Sequence, residues 1–192
     1  DQSEPDVQQA FVDIGGAAFE IRAGRQEIVL GSGKLTDIRE GPNQRQSFDA
    51  VRASVRVPDG LSVDAFYAKD VLAREDAFSD TSAGGTRFWG LYGSQIAKPW
   101  AEARVDAYYF GIDRPDAIYQ SGLGPEQRQS LGSRLYGTNG RFSYEYEGIY
   151  QFGRFGGLDI SAWGVRTEHY YTFKDVPLTP RVGLIANADV TI

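Results

Sequence analysis

The sequence predicts an all-β protein, an antiparallel meander of about ten strands of the transmembrane β-barrel type. Three observations predict it. Polarity alternates with period two in run after run, the spacing that puts side chains on opposite faces of a strand. The connections alternate short and long through the first eight strands, as in barrels with short turns on one side of a membrane and longer loops on the other. One face is rich in Ala, Gly, Val and Leu, with Tyr and Phe towards several strand ends, while the other carries acids and arginines. A dry core would favour bulkier side chains and would not hold so many ions. Lipid against the small apolar face and water against the charged face accommodate both.

Each element follows in order. A first short strand, over residues 8–14, puts Ala10, Val12 and Ile14 on one face, and Gly15-Gly16 makes the turn. The second, over residues 17–30, sets Phe19, Ile21 and Ala23 against Glu20, Arg22 and Gly24. Its alternation slips at Arg25-Gln26-Glu27, which implies a bulge or a turn into the lumen. After a long polar loop, the third strand (47–57) opposes Val51, Ala53, Val55 and Val57 to Arg52, Ser54 and Arg56. Pro58-Asp59-Gly60 turns into a fourth, with Leu61, Val63, Ala65 and Tyr67 opposite Ser62, Asp64 and Phe66. An acidic, Ser/Gly-rich loop (71–85) leads to the fifth strand (86–96), and residues 97–100 turn into the sixth. There Ala103, Val105, Ala107 and Tyr109 oppose Glu102, Arg104, Asp106 and Tyr108. A third long loop (113–126) precedes strand seven, and Thr138-Asn139-Gly140 turns into strand eight, with Phe142, Tyr144 and Tyr146 opposite Ser143, Glu145 and Glu147. A Gly-rich loop (153–157) leads to strand nine, where Leu158, Ile160, Ala162 and Gly164 oppose Asp159, Ser161, Trp163 and Val165. The link 174–179 precedes strand ten, with Val182, Leu184, Ala186 and Ala188 opposite Arg181, Gly183, Asn187 and Asp189. Residues 1–7 read as a disordered or loop end, and one barrel segment spans residues 1–192. Many of these runs reach the roughly 9–11 residues that a tilted membrane strand needs.

Composition narrows the function classes. A net charge of −6 argues against nucleic-acid binding, which needs a basic face for phosphate. Without cysteine the chain has no disulfide, thiolate metal site or Cys nucleophile, and one histidine cannot build a multi-His site. Apolar runs are far shorter than the roughly 20 residues of a membrane helix, which leaves strands as the means of crossing. The chain starts at Asp1 with no methionine, so it is expected to be a mature product or an excised segment.

The stretch G-R-Q-E-I-V-L-G-S-G-K-L from Gly24 and R-E-G-P-N-Q-R-Q-S-F-D-A-V-R ending at Arg52 resemble the alginate-export family. So do V-D-A-F-Y at Val63, Y-Q-F-G-R-F-G-G-L-D-I-S-A-W at Tyr150 and Y-T-F-K-D-V-P-L-T-P-R-V-G-L at Tyr171, in one continuous order over residues 17–190. The resemblance implies a monomeric Gram-negative outer-membrane barrel of about eighteen strands, of which this chain carries a little over half. It implies a porin or exporter with no cofactor and no enzymatic activity, passing an anionic polysaccharide, an alginate-like polyuronate, through a lumen lined with Arg and Lys. Small acidic solutes are the other cargo, membrane lipid surrounds the barrel, and proteins of a periplasmic secretion complex are the implied partners. Arg25 and Arg52 stand in matched motifs and become candidates for lumen contacts with carboxylates, whereas Ile185 stands where a basic residue is common in V-G-L-x-A.

The candidate pore-lining residues are Arg22, Arg25, Arg52, Arg56, Arg104 and Arg134, with Glu20, Asp106, Glu145 and Glu147 beside them. Arg clamps a carboxylate bidentately, and spaced rungs would let a polyuronate slide. The same residues could instead pair across strands as a structural charge lattice. Phe66, Tyr108, Tyr136 and Trp163 read as lumen aromatics that stack on sugars or fill space. Asp76 and Asp80 lack calcium-loop spacing, and His169 reads as an interface residue. Glu145 and Glu147 stand i, i+2 on one strand without a catalytic motif, so a polysaccharide hydrolase has little support. The alternative to a membrane barrel is a soluble periplasmic β-barrel with an internal ligand.

Overall fold

The computed structural model describes residues 7–32, 47–72, 81–97, 103–119 and 122–191. They form β1 (Ala10–Gly15), β2 (Phe19–Gln26), β3 (Phe48–Arg56), β4 (Ser62–Leu72), β5 (Thr81–Ile96), β6 (Ala103–Tyr119), β7 (Gly122–Asn139), β8 (Phe142–Phe155), β9 (Leu158–Thr172) and β10 (Arg181–Thr191). All belong to one sheet in sequence order, each strand antiparallel to its neighbours, with β1 and β10 at the edges. A meander of this kind needs only hairpin connections, so period-two polarity carries directly into the two faces of the sheet.

The charged face is the sheltered one. Ser54, Phe66, Tyr92, Asp106, Tyr108, Phe110 and Glu147 are buried on it, while Val51, Leu91, Val105, Leu131, Tyr150, Trp163 and Val165 are exposed on the other. Phe48, Phe66, Phe88 and Phe110 form a tilted aromatic cluster on the inner face, with ring centroids 4.8–6.0 Å apart. Ile28 and Leu30, just beyond β2, are buried in the same cluster, so the chain folds inward where it leaves the sheet.

The outer face has a sharp boundary. Register aligns Arg25, Asp49, Lys69, Arg87, Asp113, Gln127, Arg154 and Asp159 on one outward rung across β2 to β9. From that rung to the short turns, no outward position on the ten strands is Asp, Glu, Lys or Arg. On β6 this stretch runs from Asp113 back to Ala103. Its roughly 10 steps of ~3.3 Å, tilted by ~40°, rise about 25 Å, the height of a barrel's apolar band. Aromatics flank the band. Tyr67, Trp89 and Phe152 lie one rung below the charges. At the short-turn end Phe142, Tyr144, Tyr146, His169, Tyr171 and Phe173 make ring contacts at 4.9–6.2 Å.

Four expectations need correction. The slip at Arg25 is absent: β2 stays in register through Gln26, which puts Arg25 on the face of Ile21 and Ala23, and the inward turn comes only after it. On β9 the faces are reversed. Trp163 pairs with Tyr150 and Val165 with Gly148 on the outer face, so Trp163 is not a lumen aromatic. Leu158, Ile160, Ala162 and Gly164 point inward, because a strand with apolar residues on both faces gives polarity nothing to choose by. The third long loop is largely strand, since β6 and β7 pair from Arg114↔Glu126 out to Tyr119↔Gly122, with an irregularity between Arg114 and Ala117 around Pro115. The Gly-rich loop after β8 is a two-residue turn, Gly156-Gly157, whose φ of 55° and 89° suit the primed turn that closes a tight hairpin. Residues 1–6, most of the first long loop and residues 73–80 of the acidic loop, with Asp76 and Asp80, lie outside the described residues, while the ends of that expected loop, 71–72 and 81–85, belong to β4 and β5.

Candidate lumen site

Neighbouring inner rungs set cations beside acids. Asp13, Arg22, Arg52 and Phe66 share one, where Arg22 donates to both carboxylate oxygens of Asp13 at 2.7 and 2.8 Å. Arg52 instead donates to Asp64 Oδ1 at 2.7 and 3.0 Å, and the Ser54 hydroxyl joins the same oxygen. Glu20 is half-buried on the rung of Ser54 and Asp64. A further rung holds Ser94, Asp106, Arg134, Glu147, Arg166 and Asn187. Arg134 is the hub: it donates to Glu145 at 2.7 Å and Asp106 at 3.4 Å, and its guanidinium lies 3.9 Å from the Tyr136 ring centroid. Asp106 is fully buried and also accepts the Tyr92 hydroxyl. Glu147 accepts Tyr108 Oη at 2.7 Å and Ser32 Oγ at 2.9 Å, so the inward segment after β2 reaches across to β8. Tyr108 lies against Gly132, where a Cβ would stand 2.2 Å from its ring, so only glycine leaves Tyr108 room there.

Towards the long-loop end, Glu126 is buried and gathers Arg128 at 2.6 Å, Arg114 at 3.4 Å and Tyr119 at 2.9 Å. Burial, then this hydrogen bond, raises the Tyr119 phenol above its ordinary pKa. A depression of about 380 Å³ opens between β6 and β10, with Tyr108, Glu147, Gln151, Arg166, Asn187 and Asp189 among its lining.

Apart from Glu20, half-buried on the rung of Ser54 and Asp64, the predicted residues separate into three groups. Arg22, Arg52, Arg134, Asp106 and Glu145 are drawn into ion pairs, and Glu147 into hydroxyl hydrogen bonds. Arg25 is paired with Asp49 at 3.1 Å on the outward face. Arg56 and Arg104 have no carboxylate partner among the described residues; Arg104 donates only to the Ser94 hydroxyl, at 3.3 Å. Arg181, over the Tyr170 ring at 3.5 Å, shares that condition. All three stand at the short-turn end: Arg56 closes β3, Arg104 is second in β6 and Arg181 opens β10.

Sequence reasoning missed the Glu126 cluster, which it assigned to a loop, and the inward role of Phe88, Tyr92 and Phe110. On β5 both faces carry aromatics and glycines, so only the register of its neighbours tells them apart.

A charged, sheltered inner face beneath a charge-free outer band defines a segment of a transmembrane β-barrel. The family model described as alginate export matches residues 1–189, and the chain belongs to the alginate-export family, an outer-membrane transport family. No curated protein and no solved structure matches it.

Proposed function

We propose that this chain forms part of the wall of a single-chain outer-membrane barrel that exports an anionic, alginate-like polysaccharide or passes small acidic solutes. The observation that carries the reading is the position of the unpaired inner cations. Other arginines along the inner face are paired with acids, whereas Arg56, Arg104 and Arg181 at the short-turn end have no carboxylate partner among the described residues. Short turns of such barrels face the periplasm. Guanidinium groups without a carboxylate at that mouth would attract a polyuronate for export, and the neutralised wall beyond would let it slide, because weak sites release what they bind. A soluble barrel with an internal ligand is supported less well, since it would leave the charge-free outer band in water.

Planar-bilayer recordings on the full-length protein test the proposal. Wild type is expected to prefer anions and to be blocked by polyuronate oligomers from the short-turn side. Arg56→Gln/Arg104→Gln should weaken block about tenfold, while Arg141→Gln, in the β7–β8 turn, leaves it unchanged. Equal passage of anions and cations with no block by oligomers would sink the proposal.

A further inference from the structure

The outward rung at the edge of the apolar band holds two adjacent cations that form no ion pair among the described residues. Lys69 and Arg87 are direct cross-strand partners on β4 and β5, both exposed. Like charges directly opposite each other destabilise a sheet, so an arrangement of this kind calls for an anion between them. Among the described residues neither has an ion-pair or hydrogen-bond partner, although acids stand on both sides. Asp49, in register with Lys69, is held by Arg25 at 3.1 Å. Asp113, in register with Arg87, forms no ion pair with it. At the other end of the rung Arg154 is paired with Asp159 at 3.3 Å. Among the described residues, Lys69 and Arg87 are thus the outward cations of the rung without an acid partner.

Their level decides what they meet. Tyr67 and Trp89, one rung nearer the short turns on the same two strands, are also direct partners, and Leu91 and Ala65 follow below them. Aromatic rings of this kind sit at the headgroup level of a bilayer. The cations lie immediately above, on the long-loop side, where lipid headgroups end and water begins.

We propose that Lys69 and Arg87 form a binding site for a phosphorylated lipid headgroup of the outer leaflet, a phosphorylated glycolipid. It rests on the membrane reading of the chain but not on the cargo. Cross-strand Cβ atoms stand about 4.5–5.5 Å apart, so the ammonium and the guanidinium converge on one phosphate, with Arg87 offering a paired donor edge. Tyr67 and Trp89 lie against the acyl–sugar junction beneath. A diphosphorylated glucosamine lipid supplies the charge and the apolar tail at those two levels.

Native mass spectrometry of the full-length barrel, folded in micelles and offered lipid A, its dephosphorylated form or phosphatidylcholine, tests the site. Wild type is expected to retain lipid A at least tenfold better than the other two, and 10 mM inorganic phosphate is expected not to displace it. Lys69→Gln/Arg87→Gln should lose the preference, while Arg141→Gln keeps it. Equal retention of phosphorylated and dephosphorylated lipid, unchanged retention in the double variant, or displacement by inorganic phosphate overturns the lipid site. A folded, vesicle-inserted barrel without the preference overturns the site and leaves the membrane reading standing. A chain that refuses insertion removes both.

Discussion

Replacing Arg134 by methionine separates a structural charge lattice from a selective track. The hub is dry on one side and wetter on the other: the side chains of Asp106, Arg134 and Glu145 are 1, 13 and 18% exposed. Removing one partner of a buried pair costs about 3–5 kcal/mol, because the other charge is left alone. The Asp106 contact is long at 3.4 Å, and Asp106 keeps its hydrogen bond from Tyr92, so the lower figure of about 3 kcal/mol applies. The wetter Glu145 contact adds about 0.5 kcal/mol and the lost stack over Tyr136 about as much again. Arg134→Met should therefore cost about 4 kcal/mol in urea unfolding of the full-length barrel from vesicles, followed by tryptophan fluorescence. Adding Asp106→Asn removes the stranded charge and should restore about 2 kcal/mol. Ion selectivity should barely move. A cost below about 1 kcal/mol, or a double variant no more stable than the single, would refute the lattice. Lost anion preference at unchanged stability would make Arg134 part of the track.

Two other outcomes test the faces and the long-loop end. Leu91→Arg puts a charge in the middle of the outer band and should cost about 2–4 kcal/mol, whereas Val182→Arg, on the last outward rung at the short-turn end, should cost about 0–1 kcal/mol in the same unfolding assay. The Tyr119 phenol is raised, so its folded form favours the protonated state. Its contribution is complete below the unfolded value of about 10 and is lost as pH rises through the folded one. The difference in unfolding midpoint between wild type and Tyr119→Phe should hold from pH 7 to 9 and shrink above 10; a difference that grows with pH contradicts the burial of that hydroxyl.

Period-two polarity made most of the fold legible. Val51 against Arg52, or Ala107 against Asp106, leaves little freedom of register, because a slip of one residue would put an arginine in lipid. Where both faces carry similar residues the signal vanished. Trp163 and Ile160 on β9 are both apolar, and only pairing with Tyr150 and Gly153 assigns them. Arg25 illustrates another limit. A charge next to the band's edge looks like a break in alternation, yet the strand continues and the lipid ends. The candidate site was legible as a set of charges but not as partners. That Arg134 takes Asp106 and Glu145, while Glu147 goes to Tyr108 and Ser32, depends on diagonal reach and on a segment entering from beyond β2.

The asymmetry between the faces follows from what each can do with a charge. On the outer face an ion in hydrocarbon has no solvent and no mobile partner, so selection can only remove it, and the band carries none below its limiting rung. On the inner face water and neighbouring strands offer partners, and the sheet holds arginine and carboxylate side by side. That freedom has a consequence for transport. An arginine held by an acid at 2.7 Å must break that contact before it can hold a passing carboxylate, so the paired wall is a weak binder by construction. Affinity for a polyanion has to come from cations outside the lattice. On the export reading proposed above, Arg56, Arg104 and Arg181, each at the short-turn end of its strand, would concentrate attraction at capture and leave little to hinder release.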